Sequence, residues 1–274
     1  MRIAPLGRSI DYEAVLDIQR RVWGHGETDL TPTHQFRITV RMGAILLGGW
    51  VGGRLAGFVY SFPAVFEGRP VQHSHLLAVL PECRGLGLGK RLKWAQRDRA
   101  IALGYDTITW TFDPLQARNA NLNLRALGAL ARTYWPDFYG RQEALLLGPG
   151  VRTDRFLAEW PIRSRRVAAR RGGRPVRGFP SNAARALARK PAKPTKDGDP
   201  ALPGKPNLTL DGRIVLAEIP PSVNALKDRP ELIAAWQRGL RRVLGHYFKH
   251  GYIADDFIFG ERCFYVLRRP PQGS

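Results

Sequence analysis

The sequence predicts a mixed α/β (α+β) domain, and three observations lead to that prediction. Two stretches with apolar residues at helical spacing open the chain, and after residue 44 the pattern changes to one typical of strands. Three strand-like segments then follow one another, with a tight Gly-Gly turn between the first two, as in an antiparallel hairpin. A glycine-rich loop, a helix and another strand come next, which is the arrangement of a crossover between parallel strands.

The helices and strands follow from local patterns. Residues 10–23 have helical spacing after a candidate cap at Asp11, and Thr31 and Pro32 begin a second helix that ends near Gly43. A helix at 87–103 has Gly104 just beyond its end, as is common at helix C-termini. The other segments are predicted as strands at 44–50, 55–62, 72–80 and 105–112, a helix at 119–130 and a short aromatic strand at 133–139.

A smaller unit is predicted near the C-terminus. A strand at 213–219, a helix from Asp228 to just before Gly251, and strands at 252–259 and 263–267 give it the order β-α-β-β. Because about 60 residues are few for an independent core, we expect this unit to pack on the first domain.

A basic segment separates the two units. Residues 161–206 hold 13 of the 43 lysines and arginines but two of the 23 acids, together with eight prolines and five glycines. The segment has too little apolar surface to offset the entropy of ordering. We therefore predict a flexible linker or insertion with a transient helix at 182–189. Two alternatives stay open for residues 163–206, a weak contact with a polyanion or a solvated linker without a partner. The predicted domains are therefore 1–160, the linker 161–206, and 207–270.

The composition excludes several classes of protein. The formal charge is +20, and Cys83 and Cys263 are too few for a disulfide scaffold or a zinc cluster, so we expect no metal. The longest apolar stretch, 44–51, contains two glycines and is far shorter than the about 20 residues of a membrane helix. The first residues lack the apolar core of a signal peptide. We therefore expect a cytoplasmic protein without membrane contact, and no pattern indicates its oligomeric state.

The most informative stretch is the loop at residues 79–90, VLPECRGLGLGK. Amide N–H groups at a helix N-terminus bind anions, and glycines allow a phosphate to approach the backbone. The mononucleotide pattern G-x-x-x-x-G-K-[ST] fails because Lys90 stands at its second glycine, and the dinucleotide pattern G-x-G-x-x-G fails at Lys90 or Leu92. The pattern R-x-x-G-x-G fits from Arg84 to Gly89.

With this motif after a strand and before a helix, about 150 residues of the chain resemble the GNAT superfamily of acyl-CoA-dependent N-acyltransferases. Residues 110–128 (WTFDPLQARNANLNLRALG) and 138–140 (FYG) further resemble a bacterial subgroup of predicted acetyltransferases with a C-terminal extension. The resemblance implies a mostly antiparallel central sheet flanked by helices. It also implies acetyl-CoA or another acyl-CoA as co-substrate, attacked directly by an amine in a ternary complex.

The resemblance also implies which residues bind the donor. The loop amides would hold the diphosphate, the strand before the loop would pair with the pantetheine arm, and an asparagine would lie near that arm. The loop residues are Arg84, Gly85, Leu86, Gly87, Leu88, Gly89 and Lys90, the strand residues are Leu77, Ala78 and Val79, and the asparagine is Asn119 or, in a rival register, Asn121.

The candidates for the general base are His73, His75 and Asp113. His75 lies on the strand that leads to the loop, and by strand alternation it shares a face with His73 and Leu77. Asp113 lies at the end of the next strand. The alternatives are a hydrogen-bonded structural histidine, a turn aspartate, or a base that acts through water.

The sequence lacks the tyrosine that serves as general acid in many members of the family. Many members carry a tyrosine on the helix after the asparagine, but residues 122–128 (LNLRALG) have none. Tyr139 or Tyr134 is the candidate for the missing general acid, and the alternative is that both are packed aromatic residues. Because a CoA thiolate is a good leaving group, the reaction would also be possible without a strong acid. Cys83 is expected to be an inert loop thiol rather than a nucleophile.

The predicted function is transfer of an acetyl or succinyl group from acyl-CoA to the primary amine of a small molecule, such as an amino acid. One alternative is an acyltransferase for a protein or RNA that the basic segment recruits. Another is a CoA-binding protein without catalysis.

Overall fold

A computed structural model of the 274-residue chain describes residues 1–24, 26, 29–140, 150–173, 183–190 and 202–271. Two compact units are present, one of residues 1–110 and 160–171 and the other of residues 111–159 and 172–274. Residues 111–159 thus group with the C-terminal part of the chain, and residues 160–171 group with the N-terminal part. None of the helices described is long and apolar enough to cross a membrane.

The helices are α1 (Ser9–Trp23), α2 (Thr33–Arg41), α3 (Leu88–Ala102), α4 (Ala117–Ala120, continued by a π-helical segment Asn121–Ala126), α5 (Arg165–Arg171) and α6 (Pro230–Lys249). The strands are β1 (Arg2–Pro5), β2 (Ile45–Val51), β3 (Arg54–Phe66), β4 (Arg69–Val79), β5 (Thr107–Phe112), β6 (Leu130–Trp135), β7 (Arg155–Pro161), β8 (Ala184–Leu187), β9 (Ile214–Ile219), β10 (Ile253–Ile258) and β11 (Cys263–Arg268). These elements confirm the predicted mixed α/β class.

The sheet of the first unit has the order β1-β2-β3-β4-β5. Neighbouring strands are antiparallel except β4 and β5, which are parallel and joined by the loop and α3. The predicted antiparallel start and crossover are therefore confirmed. Strand β1 was not predicted, because four residues are too few to show a period.

Helices flank this sheet. Tyr12, Val15 and Ile18 of α1 and Phe36 of α2 join one apolar cluster with Tyr60 of β3, whose ring lies 4.8 Å from that of Phe36. On α3, Leu88 packs so close to β2 that a Cβ at Gly49 would come within 2.7 Å of it. Glycine at that position therefore allows α3 to approach the strand.

The strands of the second unit follow the order β7-β6-β10-β11-β9-β8. The predicted β-α-β-β order is confirmed by β9, α6, β10 and β11. The apolar face of α6 is buried along its whole length, at Leu232, Trp236, Leu240, Val243 and Tyr247.

The prediction of a flexible linker with a transient helix at 182–189 is wrong for the described parts of that segment. Residues 165–171 form α5, whose Val167 is fully buried and whose Arg171 pairs with Asp98. Residues 184–187 form a strand, β8, which runs parallel to β9 and buries Leu187. These apolar side chains and ion pairs offset the ordering entropy that composition alone assigned to the whole segment. Residues 174–182 and 191–201 lie outside the described residues.

Candidate active site

The loop between β4 and α3 has the backbone that its glycines predict. Pro81–Cys83 forms a single 3-10 turn, and Gly85 and Gly87 then adopt φ values of +82° and +78°. Residues with side chains rarely adopt this left-handed conformation, so glycine is needed at both positions. A Cβ added at either glycine would meet no atom within 4 Å, so the loop is open to a ligand on this side.

The loop presents a run of amide donors. The N–H groups of Cys83 and Arg84 are bonded to the carbonyls of Leu80 and Pro81. Within the described residues, the N–H groups of residues 85–90 have no hydrogen-bond partner, and the first amide of the helical ladder is that of Arg91. The amide of Arg84 is therefore not available to a phosphate, whereas those of the six following residues are.

The side chain of Arg84 also acts within the protein. Its Nε donates a hydrogen bond to the carbonyl oxygen of Val79 at 3.2 Å, which ties the loop to the end of β4. The loop's one carboxylate, Glu82, is engaged by Arg21 at 2.8 Å and by Arg54 at 3.5 Å. These two guanidinium groups reduce its repulsion of a bound anion.

A β-bulge interrupts β4 at His75. Leu76 pairs with Tyr60 of β3 and Ser74 pairs with Ser61, so His75 is the extra residue. Because an extra residue inverts the alternation of side chains, Leu77 lies opposite Val59 on the other face from Leu76. The prediction that Leu77 shares a face with His75 is therefore wrong.

The strand end beyond the bulge has backbone groups that point away from β3. The amide of Leu80 bonds to Ala56 of β3, so by alternation Ala78 faces β3 as well, whereas Leu77 and Val79 face the opposite side. The ladder with β5 reaches His73 and Thr109, and Leu77 and Val79 lie beyond it. The edge can therefore pair with an extended ligand through Leu77 and Val79, but Ala78, which the sequence analysis included, is already paired.

The two histidines of β4 differ in their surroundings. His73 Nδ1 lies 3.0 Å from Thr109 Oγ1, and loss of hydration, followed by the nearby His75 and Lys93, lowers its pKa to about 4. The side chain of His75 is exposed, and partial loss of hydration beside Tyr60 and Phe62 lowers its pKa. His75 is therefore neutral at pH 7 and able to accept a proton, and it has no hydrogen-bond partner among the described side chains.

Asp113, in the second unit, has the turn role that the sequence analysis kept as an alternative. Its Oδ1 accepts a hydrogen bond from the amide of Leu115 at 2.8 Å, which is the geometry of an Asx turn. Burial raises the pKa of this carboxyl group, and the nearby charge of Arg155 opposes that rise. Asp113 is thus enclosed and already bonded, which fits a structural residue better than an exposed base.

The two tyrosines proposed as the general acid are placed differently within the second unit. The hydroxyl of Tyr134 donates to the buried carboxylate of Asp154, which Arg241 also binds, and burial raises the pKa of Tyr134. The proton of the Tyr134 hydroxyl is therefore held by the carboxylate of Asp154. Tyr139 is 48% exposed, and its hydroxyl lies 3.4 Å from Thr111 Oγ1. Tyr139 is the better placed of the two to exchange a proton with a ligand.

Asn119 and Asn121 lie on the helical segment that begins with α4. Asn119 is the third residue of α4, and Asn121 opens the π-helical segment. The N-cap of α4 is Gln116, so neither asparagine is the N-cap of this helix. Neither side-chain amide is bonded to another residue of the described chain, which leaves both able to bind a ligand. π-Helical segments of this kind are frequent at functional sites.

The described residues contain no group of three His, Cys, Asp or Glu side chains that could hold a metal ion. Cys83, half-buried in the loop, is a free thiol.

Known proteins with related sequences or folds bear on this site. Residues 12–129 match the model of the acetyltransferase (GNAT) family. No curated protein matches the chain at a significant level.

Several solved structures are similar to part of this chain. The aminoglycoside 6'-acetyltransferase type Ii is 18% identical, with 60% of this chain and 99% of that chain covered and a TM-score of 0.48. The ribosomal-protein-S18-alanine N-acetyltransferase of Escherichia coli is 19% identical, with 59% and 93% covered and a TM-score of 0.47. An aminoglycoside 6'-N-acetyltransferase in complex with coenzyme A is 16% identical, with 60% and 99% covered and a TM-score of 0.46.

The matched residues contain β4, the loop with its open amides and α3, which together form the expected donor site. Residues 12–129 of this chain are therefore similar to the acetyltransferase (GNAT) family, which supports an acyl-CoA-dependent N-acyltransferase domain in this part of the chain.

Proposed function

We propose that the protein transfers an acetyl or succinyl group from acyl-CoA to the primary amine of a small molecule such as an amino acid. The observation that carries this proposal is the run of N–H groups at residues 85–90, which have no partner in the described protein. Six amides at the start of a helix match the diphosphate of a nucleotide-like ligand, since they combine hydrogen bonds with the positive end of the helix dipole.

The strand before the loop supports the same proposal. Leu77 and Val79 direct backbone groups away from β3. The carbonyl and amide of Leu77 and the amide of Val79 can pair with a pantetheine arm, whereas the carbonyl of Val79 already accepts a hydrogen bond from Arg84. Bound acyl-CoA supplies an activated thioester. The chain's own backbone would hold that donor at the loop and along this edge of β4, which fixes the acyl group for attack.

His75 is the residue we propose as the general base. It stands at the bulge of β4, it is exposed, and its lowered pKa leaves the ring neutral at pH 7. A neutral imidazole can remove a proton from the ammonium group of the acceptor, directly or through one water, and so form the free amine that attacks the thioester.

Tyr139 is the residue we propose to protonate the departing thiolate. Its hydroxyl is exposed, unlike that of Tyr134, whose proton is held by Asp154. Because a thiolate leaves readily, this proton is expected to contribute less to the rate than the base does.

An assay of amine-dependent CoA release tests the proposal. The protein is mixed with acetyl-CoA or succinyl-CoA and a panel of amino acids, polyamines, amino sugars, peptides and RNA, and free CoA is measured by mass spectrometry. Mass detection is preferable to a thiol reagent, because Cys83 is itself a half-exposed thiol. A Cys83→Ser variant should keep its activity and so exclude an acyl-cysteine intermediate.

We expect CoA release that depends on a small amine, together with acylated product. Release with peptides or RNA alone would instead favour the macromolecular acceptor. The proposal fails if no amine increases CoA release with either donor while CoA still raises the melting temperature, since the protein would then bind CoA without catalysis.

A further inference from the structure

Lys93, on α3, is a buried amine that the proposed reaction does not use. It is 3% exposed, and none of the carboxylates described in the structure forms an ion pair with it. Burying an unpaired ammonium group is costly, and burial lowers the pKa of Lys93 well below its usual value. No sequence pattern marked this residue, since a lysine on a helix is ordinarily exposed.

The amine of Lys93 is part of a closed triangle of polar groups. Its Nζ lies 3.0 Å from Ser74 Oγ and 2.7 Å from Gln96 Oε1, and Gln96 Nε2 donates to Ser74 Oγ at 3.1 Å. Lys93 Nζ also lies over the ring of Trp110, 3.8 Å from the ring centroid. All three polar side chains are buried. A buried network whose members satisfy one another holds them at fixed spacing.

The triangle joins the two elements that form the donor site. Ser74 is the last residue of β4 that pairs in register with β3 before the bulge at His75. Lys93 and Gln96 lie on α3, the helix whose first turn carries the open amides of residues 88–90. The bulge and the loop are therefore connected through side chains as well as along the chain.

From this placement we propose that Lys93, Ser74 and Gln96 are positioning residues that fix the β4 bulge relative to the diphosphate loop. The inference rests on the proposed function, in which the loop binds one part of the donor and the strand beside the bulge another. If the two elements shift against each other, the diphosphate site stays intact but the acyl group is presented in the wrong place, and small misplacements of this kind lower the rate strongly.

Substitutions at two corners of the triangle test the inference. Lys93→Met keeps the length of the side chain and removes the amine, and Ser74→Ala is a milder change that keeps β4 intact should Lys93→Met fold poorly. We expect kcat with the best amine to fall about tenfold or more in either variant. The Kd for CoA should stay within about twofold of the wild type, because the loop amides are unchanged.

The double variant adds a readout that a loss of stability alone would not produce. If the two residues act as one unit, Lys93→Met with Ser74→Ala should lower kcat no further than Lys93→Met alone. Arg99→Met is the matched control, since it removes an exposed cation from the same helix and should change neither kcat nor Kd.

Two results would overturn the inference. One is an active wild type whose folded Lys93→Met and Ser74→Ala variants keep kcat within about twofold. The other is a loss of CoA affinity that parallels the loss of kcat, with additive effects in the double variant, which would indicate a general structural role. A wild type that releases no CoA with any amine would instead overturn the proposed function, and this inference with it.

Discussion

Arg84 Nε donates a hydrogen bond to the carbonyl oxygen of Val79, and so fastens the loop to the strand that precedes it. That carbonyl points away from β3, on the edge of β4 where the donor's arm is proposed to pair. Arg84 therefore has a definite role in shaping the loop, in addition to its positive charge. Because the arginine is exposed, the bond is expected to contribute modestly.

Replacing this side chain should weaken donor binding without unfolding the protein. For Arg84→Met we expect the Kd for CoA to rise about three- to tenfold. The loss of one hydrogen bond of about 1 kcal/mol accounts for most of this rise, and the loss of the positive charge adds to it. Titration calorimetry measures the effect. Arg84→Lys separates the two contributions, since it keeps the charge and loses the bond to Val79. An unchanged Kd in Arg84→Met would mean that the loop holds its shape without this arginine.

The proposed role of His75 predicts a specific pH dependence. A general base must be unprotonated, so kcat/KM should fall as the pH drops through the pKa of His75, which partial loss of hydration places below its usual value of about 6.5. His75→Gln should lower kcat about 100-fold and remove this acidic limb. A variant that keeps both the rate and the limb would show that another group, or water alone, accepts the proton.

His73 predicts a pH dependence of stability rather than of rate. Its pKa in the folded protein is about 4, below the value of about 6.5 in an unfolded chain, so protons bind preferentially to the unfolded state. The stability that neutral His73 contributes is therefore complete above about pH 6.5 and is lost as the pH falls towards 4.

Urea unfolding at several pH values tests the predicted direction of this pH dependence of stability. His73→Gln should flatten the fall in unfolding free energy between pH 6.5 and 4, relative to the wild type. His34→Gln, which replaces an exposed histidine of α2, should leave the curve of the wild type unchanged. Parallel curves for the wild type and His73→Gln would contradict the assigned pKa.

The start and end of the loop and of α3 were predicted correctly to within about one residue, because both are determined by residues that are adjacent in the sequence. Pro81 ends β4, Gly87 must be glycine for its backbone angle, and Gly104 ends the helix with φ of +86°. Each of these constraints is visible in one short stretch of sequence. The open amides at residues 85–90 follow from them directly.

The bulge at His75 and the burial of Lys93 have no such local signal. The bulge arises from the register of β4 against β3, and strand alternation alone placed Leu77 on the wrong face. Lys93 is buried because Ser74 and Gln96 meet it across two elements. In the same way, β8 forms because β9 offers it a partner strand, whereas its own composition indicated a flexible segment.

The central claim is that the amides before α3 bind the diphosphate of CoA, and a matched pair of glycine variants tests it most directly. Gly87 and Gly104 stand at opposite ends of α3 with φ values of +78° and +86°, and a Cβ on either meets no atom within 4 Å. Alanine should therefore cost about the same stability, about 1–2 kcal/mol, at both positions.

The decisive measurement is the Kd for CoA of the wild type, Gly87→Ala and Gly104→Ala, determined by titration calorimetry. Gly87→Ala should weaken binding about tenfold or more, because its Cβ and the altered backbone disturb the amides, whereas Gly104→Ala should bind as the wild type does. Equal affinity in all three proteins, or no binding of CoA by the wild type, would contradict the account.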